Sequence, residues 1–174
     1  MTTLIKGGTG VSTTGADPAE VLVDGEIIVA LLLPGSDPAM AAERGAERVI
    51  DATGKYVIPG GVDVHTHMEL PFGGTNASDD FESGTRAAAW GGTTTIIDFA
   101  SQQTGENVRT CFDDRMALAD GNCAIDYAFH MIIGGVDDAS LKEMDILVDE
   151  GVTSFKLFMA YPGVYLSDDA QILR

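Results

Sequence analysis

The chain is 174 residues long, which by length suits one domain, and 45% of it is hydrophobic, so a core can be buried. Lys and Arg total 10 against 27 Asp and Glu, a formal net charge of -17; so acidic a chain repels phosphate backbones, and nucleic acid is not an expected partner. No apolar run reaches the roughly 18 residues of a membrane span, the start lacks a basic stretch leading into an apolar one, and Cys111 and Cys123 form no CxxC pair, so a reduced, cytoplasmic protein is expected.

Before residue 58, short β-branched runs alternate with turns. Residues 21–23 and 27–29 flank Asp24-Gly25-Glu26, a hairpin signal. Residues 48–50 and 56–58 flank a second turn over 51–55. The pattern predicts a small antiparallel β unit over 1–57, in which 34–46 is a looser connection with a short helical stretch.

From 58 to 174 the pattern becomes strand, helix, strand, helix. Residues 61–65 form the first predicted strand. Asp79 caps the next helix, with Glu82 as the return partner, and Gly91-Gly92 ends it. Residues 93–99 are the second strand. The following helix carries Val108, Cys111, Phe112, Met116 and Ala119 on one face and stops at Gly121. Residues 125–133 are the third strand. Ser140 and Glu143 suggest a capping box for a helix with Leu141, Met144 and Val148 on one stripe, closed by Gly151. Residues 152–159 are the fourth strand. Such alternation implies a parallel sheet with crossover helices. Two architectures fit it, a small doubly wound sheet and half of a (β/α)8 barrel. The dinucleotide-binding version of the first lacks its Gly-x-Gly-x-x-Gly signature.

His65-Thr66-His67 is the sharpest chemical feature. Residues two apart in a strand share a face, so two imidazoles at a strand's carboxyl end can hold one metal ion. The alternative is two polar side chains hydrogen-bonded near a turn. Lys156 sits in an apolar run, where a lone ammonium is costly to bury. Either the strand reaches solvent there, or the amine has a chemical role as a Schiff-base former or modified metal ligand. Tyr161, five residues on, is either a packed loop tyrosine or a donor to a reacting carbonyl oxygen. His130 reads as a hydrogen-bonded core histidine, and Asp98 as an orienting group or a loop cap.

Residues 59–75 (PGGVDVHTHMELPFGGT) and 154–163 (SFKLFMAYPG) closely resemble the corresponding stretches of dihydropyrimidinases and hydantoinases, the cyclic-amidase branch of the amidohydrolase superfamily; GGTTTIIDF at 91–99 supports the match. The resemblance covers essentially the whole chain and makes it the amino-terminal part of such an enzyme. It implies a (β/α)8 barrel, with the first four βα units over 58–174, preceded by part of a small β-sandwich domain over 1–57. It implies that His65 and His67 bind zinc, that Lys156 is carboxylated and bridges two divalent ions, and that Tyr161 donates to the oxyanion. Leu70 and Phe72 resemble a substrate-gating loop. The implied reaction is hydrolytic opening of a hydantoin or 5,6-dihydropyrimidine to an N-carbamoyl amino acid, by a homo-oligomer, usually a tetramer, that acts on small cyclic amides or ureides.

Members of the branch carry two further histidines and a proton-shuttling aspartate on later strands. The 174 residues hold no matching positions, so on their own they are expected to show little hydrolysis. Allantoinase and dihydroorotase are neighbouring activities. A non-catalytic scaffold of the same fold is the alternative from another class, and the presence of His65, His67 and Lys156 argues against it.

Overall fold

In the computed structural model, which describes residues 1–72 and 74–174 except the side chain of Phe72, the chain divides into two units, Met1–Pro59 and Gly60–Arg174. The first holds two sheets. One has the order β5-β4-β1-β6, from β1 (Thr2–Lys6), β4 (Glu20–Asp24), β5 (Ile27–Leu32) and β6 (Arg48–Asp51). The other has the order β3-β2-β7, from β2 (Thr9–Ser12), β3 (Gly15–Pro18) and β7 (Tyr56–Val57). The hairpin expected at Asp24-Gly25-Glu26 forms between β4 and β5, with Gly25 at φ 59° where a side chain would be strained. The looser connection contains a full helix, α1 (Asp37–Gly45), capped by the Ser36 hydroxyl.

The second turn is not a hairpin, and the unit is not purely antiparallel. β6 lies parallel to β1, and β7 lies parallel to β2 in the other sheet. The turn itself explains the change. Asp51 accepts hydrogen bonds from the Thr53 amide (2.9 Å) and hydroxyl (2.6 Å), and the Lys55 amide donates to the Ala52 carbonyl (2.8 Å). Those bonds carry the chain from one sheet into the other. Gly7-Gly8 does the same between β1 and β2; a Cβ on Gly8 would lie 2.7 Å from the Val57 side chain, so only glycine admits that approach.

The second unit winds β8 (Gly61–Asp63), α2 (Phe81–Trp90), β11 (Thr93–Ser101), α3 (Val108–Ala119), β12 (Asp126–Ile132), α4 (Asp138–Asp149) and β13 (Phe155–Lys156), with a β9–β10 hairpin (Pro71–Phe72, Thr75–Asn76) and a short α5 (Asp169–Ile172). The sheet order is β13-β12-β11-β8 and every pairing is parallel. Each new strand adds beside the last with no reversal. A doubly wound sheet needs a reversal point, so the second unit is a parallel half-barrel sheet. Its core is Phe81, Ile96, Ala100, Val108, Phe112, Phe129, Met131, Ile133 and Leu147. Phe81 and Phe112 meet Phe129 edge-on at 6.1 and 5.9 Å. Each such buried side chain contributes roughly 1.5–3 kcal/mol.

Two caps differ from expectation. Asp80, not Asp79, caps α2, in a reciprocal box with Ser83. Asp137, not Ser140, caps α4; it accepts from the Ala139 and Ser140 amides. At α2 two adjacent acids competed for one position, and composition cannot choose between neighbours; at α4 the Ser140–Glu143 spacing imitates a capping box one turn inside a helix that Asp137 already caps. The buried face of α3 is Val108, Phe112, Arg115 and Ala119, whereas Cys111 and Met116 are only half-buried. No helix among the described residues is long and apolar enough to cross a membrane.

Candidate metal site

The histidine pair lies just beyond the first barrel strand rather than inside it. β8 ends at Asp63, whose carboxylate accepts from the His65 amide (3.1 Å) and draws the backbone out of strand geometry. The segment still runs beside β11, since the Thr66 amide donates to the Ile97 carbonyl (3.2 Å). Alternation therefore survives the end of the strand. The two imidazoles lie 5.1 Å apart, edge to face, and both rest on Phe99 of β11, at 4.6 Å for His65 and 4.9 Å for His67.

Phe99 is the floor on which the site is assembled. Lys156 of β13 brings its Nζ to 4.4 Å from the Phe99 ring centre and 4.8 Å from that of Phe158. Among the described residues no carboxylate lies within ion-pairing distance of this ammonium. Two aromatic faces stand where a counterion would be expected. His130 of β12 also meets Phe99, at 4.9 Å, but both its ring nitrogens are engaged. One contacts the Val64 carbonyl at 3.0 Å and the other the Ser154 hydroxyl. His130 is thus a hydrogen-bonded wall.

His67 differs from it. Its Nδ1 is buried and has no hydrogen-bond partner. Burial pushes its pKa below the usual histidine value; Asp98 opposes that, while His65, Lys156 and Arg115 add to it. A neutral imidazole with an orphaned nitrogen, beside a second imidazole and an unpaired amine, is a donor set suited to a divalent cation. Among the described residues no group of three or more His, Cys, Asp or Glu completes such a set.

Below the pair lies an ion pair that sequence reasoning missed. Asp98 is fully buried in the middle of β11 and pairs with Arg115 of α3 at 2.5 Å. Asp98 also accepts from the Thr66 hydroxyl (3.1 Å) and the Met68 amide (2.7 Å), and Arg115 donates to the Met68 carbonyl. The only sequence signal was an arginine one turn from Phe112 on a face otherwise apolar. Gln102 was missed as well. Its buried amide accepts from the Gly134 (3.0 Å) and Gly135 (3.2 Å) amides and donates to the Glu106 carbonyl (2.8 Å), pinning the ends of β11 and β12 together.

The remaining expected residues lie around this cluster. Leu70 is half-buried and lines a cavity of about 320 Å³ with Phe99, Ser101, Gln103, Glu106 and Tyr165. The Phe72 backbone pairs with Thr75, and its side chain lies outside the described residues. Tyr161 is 57% exposed and holds a left-handed φ of 62°, uncommon for a bulky residue. Its ring meets Phe158 at 5.5 Å, which links it to Lys156 through one aromatic contact. Its carbonyl accepts from the amides of Val164, Tyr165 and Leu166. The Tyr165 hydroxyl bonds to Ser101 (3.1 Å) and Gln103, tying this loop to the end of β11.

The chain is similar to known proteins along nearly its whole length. The chain is 60% identical over 172 residues to a D-hydantoinase of Streptomyces coelicolor, covering 99% of the chain and 36% of the relative. It is 49% identical over 176 residues to a D-hydantoinase of Geobacillus stearothermophilus, again covering 36% of the relative. A crystal structure of a dihydropyrimidinase from Brevibacillus agri superposes with a TM-score of 0.87 at 42% identity, over 99% of this chain and 36% of that one. The chain thus spans about a third of the length of the curated relatives it matches. The sequence profile of the amidohydrolase family, whose members are generally metal-dependent, matches residues 48–141. With more than half of its residues inside that profile, the chain belongs to the amidohydrolase family.

Proposed function

We propose that the protein containing these residues is a metal-dependent cyclic amidase that opens hydantoin or 5,6-dihydropyrimidine rings to N-carbamoyl amino acids. The observation that carries this is the convergence of His65, His67 and Lys156 on the Phe99 ring, with His67 Nδ1 buried and unpartnered. Relatives named D-hydantoinase at 60% and 49% identity support the substrate class.

The donor set fits a pair of divalent ions, most simply zinc, on one condition. His65 and His67 supply neutral nitrogens. Lys156 must become anionic, which it does when its amine, after losing a proton, forms an N–C bond to carbon dioxide. A second proton leaves, and the carbamate would then offer Lys156 to divalent cations as an anionic oxygen ligand. Two divalent ions supply an acidified water and polarise the scissile carbonyl when bound. The chain's own residues do the rest of the local work. Tyr161, whose ring meets Phe158 beside Lys156, donates its hydroxyl hydrogen to the oxygen that gains charge. Leu70, which lines a cavity with Phe99, limits the access of the ring to water. Residues 1–57 form part of a small β domain, and 58–174 the first four βα units of the barrel. A homo-oligomer, in the tetrameric form, and a cytoplasmic location belong to the same proposal. Burial and Glu106 push the Cys111 thiol up to about 11, as suits an inert cysteine in a reducing compartment.

The test is metal analysis of the whole protein, followed by assay of hydantoin and 5,6-dihydrouracil for the N-carbamoyl product. The expected result is about two divalent ions per chain and ring opening of at least one substrate. A metal-replete protein that opens neither ring overturns the proposal.

A further inference from the structure

We propose that the buried Asp98–Arg115 ion pair is a positioning device for His67, which holds the backbone on both sides of that ligand and sets how tightly the site keeps its metal. The inference rests on the metal-site reading above and goes beyond it.

Three contacts converge on one short stretch. Asp98 Oδ2 accepts from the Thr66 hydroxyl at 3.1 Å and from the Met68 amide at 2.7 Å. Arg115 Nη2 donates to the Met68 carbonyl while the same guanidinium reaches Asp98 Oδ1 through Nη2 at 2.5 Å and Nε at 3.2 Å. The residues before and after His67 are therefore tied to one group, and the residue between them has little freedom left. The pair is itself fixed. The Asp98 carboxylate also accepts from the Phe99 amide (2.7 Å), and the Arg115 guanidinium lies 4.8 Å from the Phe81 ring in the core.

A buried ion pair is weak as a source of stability, because desolvation offsets its attraction. Packing alone would be served by an apolar pair of similar volume. What an apolar pair could not do is bond Thr66 and both polar groups of Met68, so the use of charge here is geometric. The guanidinium suits the task, since a planar fork can serve a carboxylate and a carbonyl at once, which an ammonium does poorly. Groups that orient metal ligands typically change metal affinity when altered. His67 makes no hydrogen bond through Nδ1, so beyond its contacts with Phe99 and His65 its position depends on its backbone.

Replacing Arg115 by an apolar residue leaves a buried unpaired carboxylate and invites misfolding, so milder variants carry the experiment. T66V removes one tether without loss of volume, and R115K keeps the charge but not the fork. Each is made in the whole protein, loaded with zinc and mixed with a chelator; release rate and Met68 amide exchange are read alongside the thermal midpoint. The expected result is metal release roughly 10-fold faster and quicker Met68 exchange in both variants, at a nearly unchanged midpoint. Variants that remain folded and release zinc at the parent rate overturn the positioning role, as does a fall in midpoint with no change in release. A parent protein that holds no zinc overturns the metal-site reading itself, an outcome distinct from the other two.

Discussion

The two ends of the four-stranded sheet hold their parts of the site by different means. At the β8 end, His65 and His67 follow a strand that is already over, yet their backbone is fastened by Asp63, Ile97, Asp98 and Arg115. At the β13 end, only two residues pair with β12, and Lys156 rests on Phe99 and Phe158 without a hydrogen-bonded counterion among the described residues. Tyr161 beyond it is exposed and left-handed. One end is pre-organised by polar groups within the barrel unit. The other is held by aromatic faces, which tolerate a change in the chemical form of the lysine. A rigid imidazole pair beside an adaptable amine is compatible with the proposal that Lys156 becomes a ligand only after modification.

Breaking the rigid end should have the largest effect. H67A removes a proposed ligand, so its cost should exceed the roughly 100-fold typical of losing a supporting group; atomic emission and ring-opening assays on purified protein check it, and retained metal would contradict the role. At the adaptable end, K156R keeps the positive charge but cannot form the carbamate. The expected outcome is loss of bound metal with a normal thermal midpoint, because no counterion is stranded. A sharp loss of stability in K156R would instead make Lys156 structural. Y165F is milder: it removes two hydrogen bonds from the loop that carries Tyr161 and leaves the ring on Phe158. At about 0.5–1.5 kcal/mol per bond, the loop should loosen enough to raise KM several-fold. A KM equal to that of the parent would show that the loop is held elsewhere.

The same contrast governs what the sequence made legible. His65, His67 and Lys156 stood out by type and place, since a His-x-His at a strand end and a lysine in an apolar run are local signals. Arg115 did not, because a helical stripe is read by its apolar members and a charged residue is assigned to solvent; its partner lies 17 residues upstream. Asp98 was visible only as an acid near a strand end, with no means to tell a cap from an anchor. The parallel alternation that forms the half-barrel was legible because each βα unit is local. The crossing of β6 and β7 into separate sheets was not, for their partners β1 and β2 lie more than forty residues earlier and the turn between them looks like any hairpin turn.

The smallest expected effect concerns protons. His67 is held below the usual histidine pKa chiefly by burial. In the metal-free protein the unfolded chain therefore binds a proton at this position more readily than the folded one. By linkage, stability rises with pH where the unfolded state holds more protons. The His67 contribution is thus complete above the unfolded value, near 6.5, and declines as pH falls from there toward the lower folded value. Asp80 and Asp137, whose carboxyl groups hydrogen bonds hold below the ordinary range, also lose stabilising influence in acid, but only further down, as they protonate. Urea midpoints taken between about pH 7.5 and pH 5.5 lie above that carboxylate region. Over this window the metal-free parent should lose stability faster than H67Q, whose amide cannot titrate. Parallel slopes for the two proteins would mean that the imidazole gains access to water once the metal is gone, and the rigid end would then owe its order to the metal as much as to Asp98 and Arg115.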